Sequence, residues 1–167
     1  MPRISPEYAA LNLELHKQSG CYGANGVQHL EKMRDMMDGH GWITAIDYGC
    51  GKGTLARALG CVAYDPSIPQ YSAEPMAVDF VMCIDVMEHV ERECVREVIA
   101  HIHSLAQKGA WFDIALRPAK KFLPDGRNAH ITLEPPEWWE RLLKLYFREV
   151  HTLEHEPNHH IGFLCYA

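Results

Sequence analysis

An apolar run that ends in an acid and is followed by three alternating glycines constrains this chain more than any other segment. The run covers residues 42–46, Asp47 follows it, and Gly49, Gly51 and Gly53 precede a helix-forming stretch. Glycine tolerates positive φ and has no Cβ, so a ligand can approach the backbone of such a turn. The N–H groups at the start of the next helix add a partial positive charge. The pattern predicts a strand, a tight turn and a helix that hold a nucleotide-like or carboxylate-bearing small molecule.

Two other glycine-loop patterns are excluded by their spacing. The dinucleotide fingerprint G-x-G-x-x-G needs an acid about 20 residues further on. Here the third glycine, Gly53, comes one residue early, and the next suitable acid, Asp65, lies closer than the fingerprint requires. The phosphate-binding loop G-x-x-x-x-G-K-[ST] fails twice, because Gly53 follows Lys52 and Ile46 stands where the first glycine belongs.

The glycine segment, residues 47–53 with the pattern D-x-G-x-G-x-G, resembles the first motif of class I S-adenosylmethionine-dependent methyltransferases. Two further matches follow in the expected order. Residues 62–65 are an apolar stretch that ends in Asp65, and residues 79–90 resemble the fourth-strand motif of small-molecule-type members, D-x-V-x-x-x-D-V-x-E-H. The resemblance extends over residues 42–167. The alternative is an α/β domain whose glycine-rich turn binds no ligand.

The resemblance implies S-adenosylmethionine as the cofactor and S-adenosylhomocysteine as its product. By that resemblance the three glycines wrap the methionine part of the cofactor, Asp47 organises its amino group, and Asp65 accepts hydrogen bonds from both ribose hydroxyls. The cofactor-binding residues that it implies are Asp47, Tyr48, Gly49, Gly51, Gly53, Asp65, Asp85, Val86 and Tyr22.

Two parts of this set have a structural alternative. Asp85 and Val86 are expected near the adenosine or the sulfonium, although an acid at a strand end can simply cap the next helix. Tyr22, like His16, belongs to an N-terminal segment that folds over the cofactor as a lid in similar proteins. Packing of Tyr22 on the sheet edge is the other interpretation.

Strands and helices alternate along the chain, which predicts an α/β fold with a Rossmann-like, doubly wound and mostly parallel sheet. Right-handed crossovers place the carboxyl ends of parallel strands along one edge, where ligands bind. Asp47, Asp65 and Asp85 all follow predicted strands, so they are expected to line one crevice. Only thirteen residues separate Asp65 from Asp79, too few for a full third βα unit, which we expect to be reduced or missing.

One methyltransferase domain is expected over residues 1–167, because a chain of this length can bury a single continuous core. Residues 1–40 are expected to form a helical cap or lid, and residues 42–167 the Rossmann-like core with an antiparallel C-terminal hairpin. The predicted helices are 6–17, 27–37, 54–59, 93–106 and 136–146. The predicted strands are 42–47, 61–64, 80–84, 110–116, 150–153 and 161–166.

Glu88 and His89 follow the fourth-strand motif, where an acceptor would approach the methyl group. An imidazole with an ordinary pKa of about 6.5 suits a general base at neutral pH, so His89 is a catalytic candidate. The alternative is that the pair holds a turn together by hydrogen bonds. Its occurrence in similar proteins with unlike substrates favours a cofactor or scaffold role.

The long polar loop of residues 117–133 is the best candidate for acceptor binding. Long loops of this kind are commonly functional, and this one follows a strand end above the expected crevice. Its cations predict an anionic acceptor such as a phosphate, nucleotide or carboxylate, and His130 is the expected base if one is needed. The alternative is a solvated loop with a turn at residues 125–126. The expected substrate-binding residues are Glu88, Arg117, Arg127 and His130, and the other two cations of the loop are Lys120 and Lys121.

Composition limits the partners and the location of the chain. The net charge of −6 disfavours a strongly basic nucleic-acid surface. The six cysteines include no C-x-x-C pair, so a reduced, cytoplasmic chain is expected. No apolar run reaches 18 residues, so no contact with a membrane is expected. No metal site is expected either, because His101, His103, His159 and His160 lack zinc-like spacing with cysteines.

The leading hypothesis is a monomeric or homodimeric methyltransferase that acts on oxygen or nitrogen of a small or medium acceptor. Two DNA-base mechanisms lack their motifs, because residues 85–88 do not match [DNS]-P-P-[YFW] and Cys83 follows Met82 rather than a proline. A nucleic-acid or modified-nucleotide acceptor stays open on the basic loop alone and is not favoured. The third hypothesis is a non-catalytic subunit that binds S-adenosylmethionine.

Overall fold

Five α-helices and six β-strands alternate in the computed structural model, which describes residues 2–20 and 22–167. The α-helices are α1 (Pro6–Gln18), α2 (Leu30–His40), α3 (Thr54–Leu59), α4 (Val95–Leu105) and α5 (Pro136–Leu143). The strands are β1 (Ala45–Tyr48), β2 (Val62–Tyr64), β3 (Val78–Ile84), β4 (Ala106–Ala115), β5 (Glu149–Glu156) and β6 (His160–Tyr166). Short 3₁₀ turns cover Asn25–His29, Pro69–Tyr71 and Met87–His89.

The six strands form one sheet in the order β2-β1-β3-β4-β6-β5. β1 pairs in parallel with both β2 and β3, and β3 pairs in parallel with β4. β6 runs antiparallel between β4 and β5. The predicted Rossmann-like sheet with an antiparallel C-terminal hairpin is therefore confirmed.

The connection between β2 and β3 contains no strand and no α-helix, and its regular structure is limited to the 3₁₀ turn Pro69–Tyr71. The N–H of Asp65 donates to the carbonyl of Tyr71 over 3.0 Å, which folds this connection back towards the end of β2. β2 consequently stays at the edge of the sheet. The predicted loss of the third βα unit is confirmed.

The central strand β3 is buried on both faces. Phe80, Val81, Met82 and Cys83 have no exposed surface. Val81 and Cys83 belong to the larger core with α4 and α5, whereas Phe80 and Met82 belong to a second core with α2 and α3. Helices therefore cover both faces of the sheet, as the uninterrupted apolar sequence of this strand indicates.

Helix α1 packs on the long loop of residues 117–133. The Ser5 hydroxyl caps the helix by accepting a hydrogen bond from the Tyr8 N–H over 3.1 Å. The Ser5 N–H and hydroxyl both donate to the Glu91 carboxylate, each over 2.7 Å, which attaches the start of the helix to the segment after β3. The shared apolar cluster contains Tyr8, Leu15, Leu123 and Ala129.

The predicted starts of two strands are wrong by three or four residues. The first strand begins at Ala45 rather than at Trp42, whose indole stacks on His40 and Phe80 with ring-centroid distances of 4.2 and 4.6 Å. The fourth strand begins earlier than predicted, at Ala106, where α4 ends, and pairs with β3 from there. Strand pairing and side-chain packing set both boundaries, and these lie beyond what local sequence encodes.

The described cysteines are free thiols, and four of the five are buried, as expected for a small hydrophobic side chain. Cys21 lies outside the described residues. None of the helices in the described residues is long and apolar enough to cross a membrane. The five described cysteines are Cys50, Cys61, Cys83, Cys94 and Cys165.

Gly162 in β6 is predicted to resist substitution because Trp111 lies directly against it. A Cβ at this position would come within 2.5 Å of Cη2 of the fully buried Trp111 ring. Gly162→Ala should lower the free energy of unfolding by about 1–3 kcal/mol, the usual cost of overpacking a core, as measured by chemical denaturation. Gly39→Ala in α2 is the matched control, because outside its own helix nothing lies within 4 Å of that Cβ position. The control should be neutral or stabilise by up to about 1 kcal/mol, and equal losses in both variants would contradict the explanation.

Candidate functional site

A cavity of about 460 Å³ lies at the carboxyl edge of the sheet. Its walls come from α1 and from the segments that follow β1, β2, β3 and β4. Parallel α/β sheets present their ligand sites at this edge, and the volume falls within the range of small-molecule pockets. Asp47, Asp65 and Asp85, which were expected to line one crevice, all line this cavity.

The turn after β1 leaves no room for side chains on two of its glycines. Gly49 and Gly51 have φ values of +74° and +52°, which favour glycine. A Cβ on Gly49 would lie 2.4 Å from Cγ2 of Val86, and one on Gly51 would lie 2.8 Å from Cα of Gly23. Gly49 and Gly51 line the cavity, whereas Gly53, which precedes α3, is not among the lining residues. The third glycine of the motif therefore shapes the helix start rather than the cavity wall.

The Asp65 carboxylate joins two turns beside the cavity. It is buried, with 5% of its surface exposed. Its Oδ2 accepts a hydrogen bond from the N–H of Gly51 over 3.0 Å, and its Oδ1 accepts from the N–H and the hydroxyl of Ser67 over 2.9 and 2.7 Å. Each carboxylate oxygen can accept about two hydrogen bonds, so Oδ2 retains capacity for a ligand hydroxyl.

Asp47 is buried beneath the glycine turn. Its Oδ2 accepts a hydrogen bond over 3.2 Å from the N–H of Ala56 in the first turn of α3, where a negative charge is favoured. Burial outweighs this hydrogen bond and raises the pKa of Asp47 to about 6. A cationic group of a ligand in the cavity would favour the ionised form and offset the effect of burial.

Asp85 has an uncommon backbone conformation where the chain leaves β3. Its φ is +53°, which is rare for residues other than glycine, and its N–H donates to the carbonyl of Asp113 over 2.9 Å. The Asp85 side chain is exposed and lines the cavity, next to Val86. The following 3₁₀ turn has no side-chain cap, so the alternative that Asp85 caps it is wrong.

Three side chains of α1 line the cavity from one face of the helix. Tyr8, Asn12 and His16 follow one another at intervals of four residues, and none of them was among the expected cofactor contacts. Among the described residues, the Tyr8 hydroxyl and His16 Nδ1 are buried and have no hydrogen-bond partner, which is unusual for polar atoms. The four-residue spacing of polar and aromatic residues in the sequence was the signal that could have identified this face.

Tyr22 connects this helix to His89 on the opposite side of the cavity. Its hydroxyl donates to Oδ1 of Asn12 over 3.2 Å and lies 3.3 Å from Nδ1 of His89. Tyr22 lines the cavity and packs at the edge of the His89 ring, so the alternative of packing on the sheet edge is wrong.

His89 is held in one tautomer. Its Nδ1 lies 2.7 Å from the carbonyl oxygen of Ala129, and because a carbonyl only accepts, Nδ1 carries the proton. Burial lowers the pKa of His89 to about 3. The ring is therefore neutral at physiological pH and keeps a lone pair on Nε2.

His130 repeats this arrangement on the opposite loop. Its Nδ1 donates to the carbonyl of Arg117 over 2.5 Å, and burial lowers its pKa. The His89 and His130 rings meet edge to face, with centroids 4.7 Å apart and an interplanar angle of 86°. Both histidines line the cavity and both keep Nε2 free of a proton.

Glu88 was expected to bind the acceptor, but it does not line the cavity, because its side chain has no exposed surface. Its Oε1 accepts a hydrogen bond from the N–H of Ala115 over 3.2 Å and lies 4.0 Å from Nε2 of His130. Its Oε2 is buried without a hydrogen-bond partner. Burial raises the pKa of Glu88 well above its ordinary value.

The cations of the long loop divide into two sets. Arg117, Lys120 and Lys121 line the cavity. Arg127, expected to bind the acceptor with them, is exposed outside the lining, where its guanidinium pairs with the Asp125 carboxylate at 2.7 Å. A short local pair satisfies Arg127, so its side chain is directed along the turn at residues 125–126 rather than inward.

Tyr48 is a lining residue whose hydroxyl and ring both have protein partners. Its hydroxyl lies 2.9 Å from Nδ1 of His101 and its ring packs on Tyr64. Arg3 and Ser67, which the motifs did not indicate, line the cavity as well. Arg3 carries no sequence signal, because it is held by Glu74 and His101, which are distant in sequence. Ser67 lies two residues after Asp65 and donates two hydrogen bonds to its carboxylate.

Known proteins share both the sequence pattern and the fold. A family model described as a methyltransferase domain matches residues 43–153. No curated protein sequence matches the chain.

Two solved structures illustrate the shared fold. The Burkholderia thailandensis 1,6-didemethyltoxoflavin-N1-methyltransferase, with bound 1,6-didemethyltoxoflavin and S-adenosylhomocysteine, is 16% identical with a TM-score of 0.66, covering 99% of this chain and 92% of that chain. The Synechocystis magnesium protoporphyrin IX methyltransferase with bound S-adenosylmethionine is 15% identical with a TM-score of 0.58, covering 84% of this chain and 78% of that chain.

The burial of Asp47 predicts a specific pH dependence of stability. Because the folded-state pKa, about 6, exceeds the ordinary value of 3.8, the folded protein loses stability as pH rises through this window. Asp47→Asn should therefore raise the free energy of unfolding at pH 7.5 by about 2–3 kcal/mol, with the gain vanishing near pH 4. Denaturant titrations across this range measure the effect, and the exposed Asp35→Asn is the control. A gain that does not change with pH would contradict the assignment.

Proposed function

The chain belongs to the methyltransferase-domain family as an S-adenosylmethionine-dependent enzyme, and we propose that it methylates oxygen or nitrogen of a small or medium anionic acceptor. The observation that carries the proposal is the presence of both signs of charge in one cavity. Three carboxylates follow the strands β1, β2 and β3, and three cations come from the loop of residues 117–133. The carboxylates suit a sulfonium cofactor, and the cations suit an anionic acceptor.

The residues present fit S-adenosylmethionine. Gly49 and Gly51 present bare backbone to the cavity, and Asp47 is a buried acid with no cationic partner among the described residues. The unpaired polar atoms of Tyr8 and His16 add capacity for hydrogen bonds. When bound, this cofactor supplies a methyl group that the sulfonium has already activated.

The chain's own residues bind and orient rather than activate the donor. Asp47 is proposed to hold the amino group of the cofactor, and the remaining acceptor capacity of Asp65 Oδ2 to hold a ribose hydroxyl. Asp85 and Val86 are proposed to lie along the adenosine. Helix α1 covers the cavity, so it excludes water and positions the reactants, which is the main requirement for transfer from an activated donor.

The acceptor is proposed to bind at the end of the cavity formed by Arg117, Lys120 and Lys121. Arg117 carries a buried Nε without a hydrogen-bond partner, which an anionic group of the acceptor can satisfy. The covering helix and loop leave a cavity sized for a small molecule. The Burkholderia thailandensis enzyme, of which this chain covers 92%, has a small-molecule acceptor bound, which supports the same size class.

A proton must leave the acceptor when an O–H or N–H is methylated. His130 presents a neutral Nε2 at this end of the cavity, and the hydrogen bond from its Nδ1 to the Arg117 carbonyl fixes the ring. His130 is therefore the proposed proton acceptor. His89 is proposed to support the site, because its strongly depressed pKa makes it a weaker base.

Cofactor binding is predicted to depend on Asp65 in a graded way. Asp65→Ala removes both the acceptor for a ribose hydroxyl and the tie to Gly51, so affinity for S-adenosylmethionine should fall at least tenfold, about 1.4 kcal/mol. Asp65→Asn keeps a carbonyl oxygen and should lose less. Isothermal titration calorimetry with S-adenosylmethionine and S-adenosylhomocysteine measures both, with the exposed Asp35→Asn as the control. No binding of either ligand to the unaltered protein would refute the proposed cofactor site.

Two arginines of one loop give a matched test of the acceptor proposal. Small O- and N-acceptors are screened in pairs that differ by one carboxylate or phosphate, with formation of S-adenosylhomocysteine as the readout. Turnover should favour the charged member of each pair. Arg117→Gln should raise KM about tenfold or more with a smaller effect on kcat, whereas Arg127→Gln, outside the cavity, should leave KM unchanged.

The same experiment separates the other two hypotheses. Cofactor binding without turnover of any acceptor would favour a non-catalytic binding subunit. Turnover confined to RNA or DNA, with affinity that falls steeply with salt, would favour a nucleic-acid acceptor.

A further inference from the structure

We infer that Glu88, His89 and His130 form a binding site for one divalent transition-metal ion at the acceptor end of the cavity. These residues offer a carboxylate oxygen and two imidazole nitrogens that all lie within 4.8 Å of one another. Metal binding by this site is independent of the acceptor, whereas its use in methyl transfer rests on the proposed function.

The spacing of the three groups suits a common ion. His130 Nε2 lies 4.0 Å from Glu88 Oε1, and the two imidazole rings are 4.7 Å apart at their centroids. Ligands at about 2.0–2.2 Å from a zinc-type ion stand about 3.3–3.6 Å from one another in tetrahedral geometry. The three groups therefore have to approach one another by about an ångström or less to bind one ion.

Both histidines are already oriented as ligands. Nδ1 of His89 donates to the carbonyl of Ala129, and Nδ1 of His130 donates to the carbonyl of Arg117. Metal-binding histidines typically donate their other ring N–H to a backbone carbonyl or carboxylate, which fixes the tautomer and the ring. Nε2 of each ring consequently carries the lone pair that is available to a metal ion. If Glu88 and His89 only held a turn together by hydrogen bonds, a second oriented imidazole beside the same carboxylate would not be needed.

Glu88 lacks the partner that an ion would supply. Its carboxyl has no exposed surface, its Oε1 accepts one backbone hydrogen bond from Ala115, and its Oε2 has no hydrogen-bond partner. Burial without a charge partner disfavours the ionised form of this carboxyl group. Asp85 and Asp113 lie close enough to add to the negative potential at Glu88. A cation bound to this carboxylate removes the conflict.

The donor set selects the class of ion. Two imidazole nitrogens and one carboxylate oxygen suit Zn²⁺, Co²⁺, Fe²⁺ or Mn²⁺ better than Mg²⁺ or Ca²⁺, which prefer oxygen ligands. Three protein ligands leave coordination positions open, as in catalytic rather than structural sites. His89 and His130 line the cavity, so the open positions face the acceptor.

An ion here changes the role proposed for His130. One lone pair cannot bind both a metal ion and a proton, so His130 acts as a ligand when the ion is present. An ion held by Glu88, His89 and His130 would act as a Lewis acid and would make a hydroxyl of a nearby acceptor more acidic. Arg117, whose carbonyl orients His130, is placed to hold the anionic part of the same acceptor.

Two other groups of possible ligands provide a control. Glu156, His159 and His160 lie together in the last hairpin, and His160 also meets Asp113 and Glu154. His160→Ala removes a ligand from both groups and leaves the inferred site intact. His130→Ala and Glu88→Gln each remove one ligand from the inferred site, and the glutamine preserves the acceptor for the Ala115 N–H.

The test measures ion binding to the whole chain without cofactor or acceptor. The untagged protein is stripped with a chelator and titrated with Co²⁺, with the visible d–d absorption as the readout, and with Zn²⁺ by competition. We expect one ion per chain, micromolar or tighter, with His130→Ala and Glu88→Gln weakening binding at least tenfold and His160→Ala leaving it unchanged. Circular dichroism checks that each variant is folded, and if Glu88→Gln is not, the variant His130→Ala decides.

The outcomes separate this inference from the proposed function. No saturable ion binding, or binding that His160→Ala removes and His130→Ala does not, overturns the site. Because calorimetry with S-adenosylmethionine is run on the same metal-free samples, intact cofactor binding with no ion binding refutes the metal site alone. Ion binding without cofactor binding refutes the proposed function alone.

Discussion

The buried carboxylate of Asp65 fixes the geometry on which the rest of the cavity depends. It accepts hydrogen bonds from Gly51 in the turn after β1 and from Ser67 in the loop after β2, so two neighbouring turns keep a fixed separation. Gly51 in turn lies so close to Gly23 that neither could carry a side chain freely. The same carboxylate thus anchors the glycine turn against the segment that leads from α1 to α2. Because the third βα unit is missing, no strand lies outside β2 to support this side of the cavity. The hydrogen bonds of Asp65 therefore hold this side of the cavity wall together.

Burial of polar groups gives the two ends of the cavity different chemistry. At the strand ends, carboxylates are held by backbone N–H groups and keep capacity for a cationic ligand. At the acceptor end, backbone carbonyls fix His89 and His130 as neutral rings with free Nε2 atoms. The low dielectric of the interior strengthens every one of these interactions and penalises every unpaired atom. Glu88 Oε2, which is buried without a hydrogen-bond partner among the described residues, is the clearest example of such an unpaired atom.

Much of the fold could be predicted because it depends on patterns of short range. The continuous apolar sequence of β3 indicates a strand buried on both faces, and the thirteen residues between Asp65 and Asp79 exclude a third βα unit. Boundaries were less predictable. Trp42 resembles a strand residue but stacks on the nearby His40 and on Phe80, which is far away in sequence.

The site was predictable to the same degree and for the same reason. Acids that follow parallel strands must meet at one edge, so Asp47, Asp65 and Asp85 could be placed together from the sequence. The lining face of α1 could have been found from the spacing of its polar and aromatic residues. Arg117 and Arg127 could not be told apart, because nothing local distinguishes a cation that lines a cavity from one that pairs with Asp125.

The sequence by itself determined the glycine turn, the acids that follow successive strands, and the family. These features depend on local backbone conformation and on the local alternation of apolar and polar residues. Only the tertiary structure decided which groups lost contact with water and which gained a partner. In the folded chain Glu88 is buried, His89 and His130 are each held in one tautomer, and α1 lies over the cavity. Those outcomes depend on pairs of atoms contributed by distant segments, and such pairs exist only once the chain has folded.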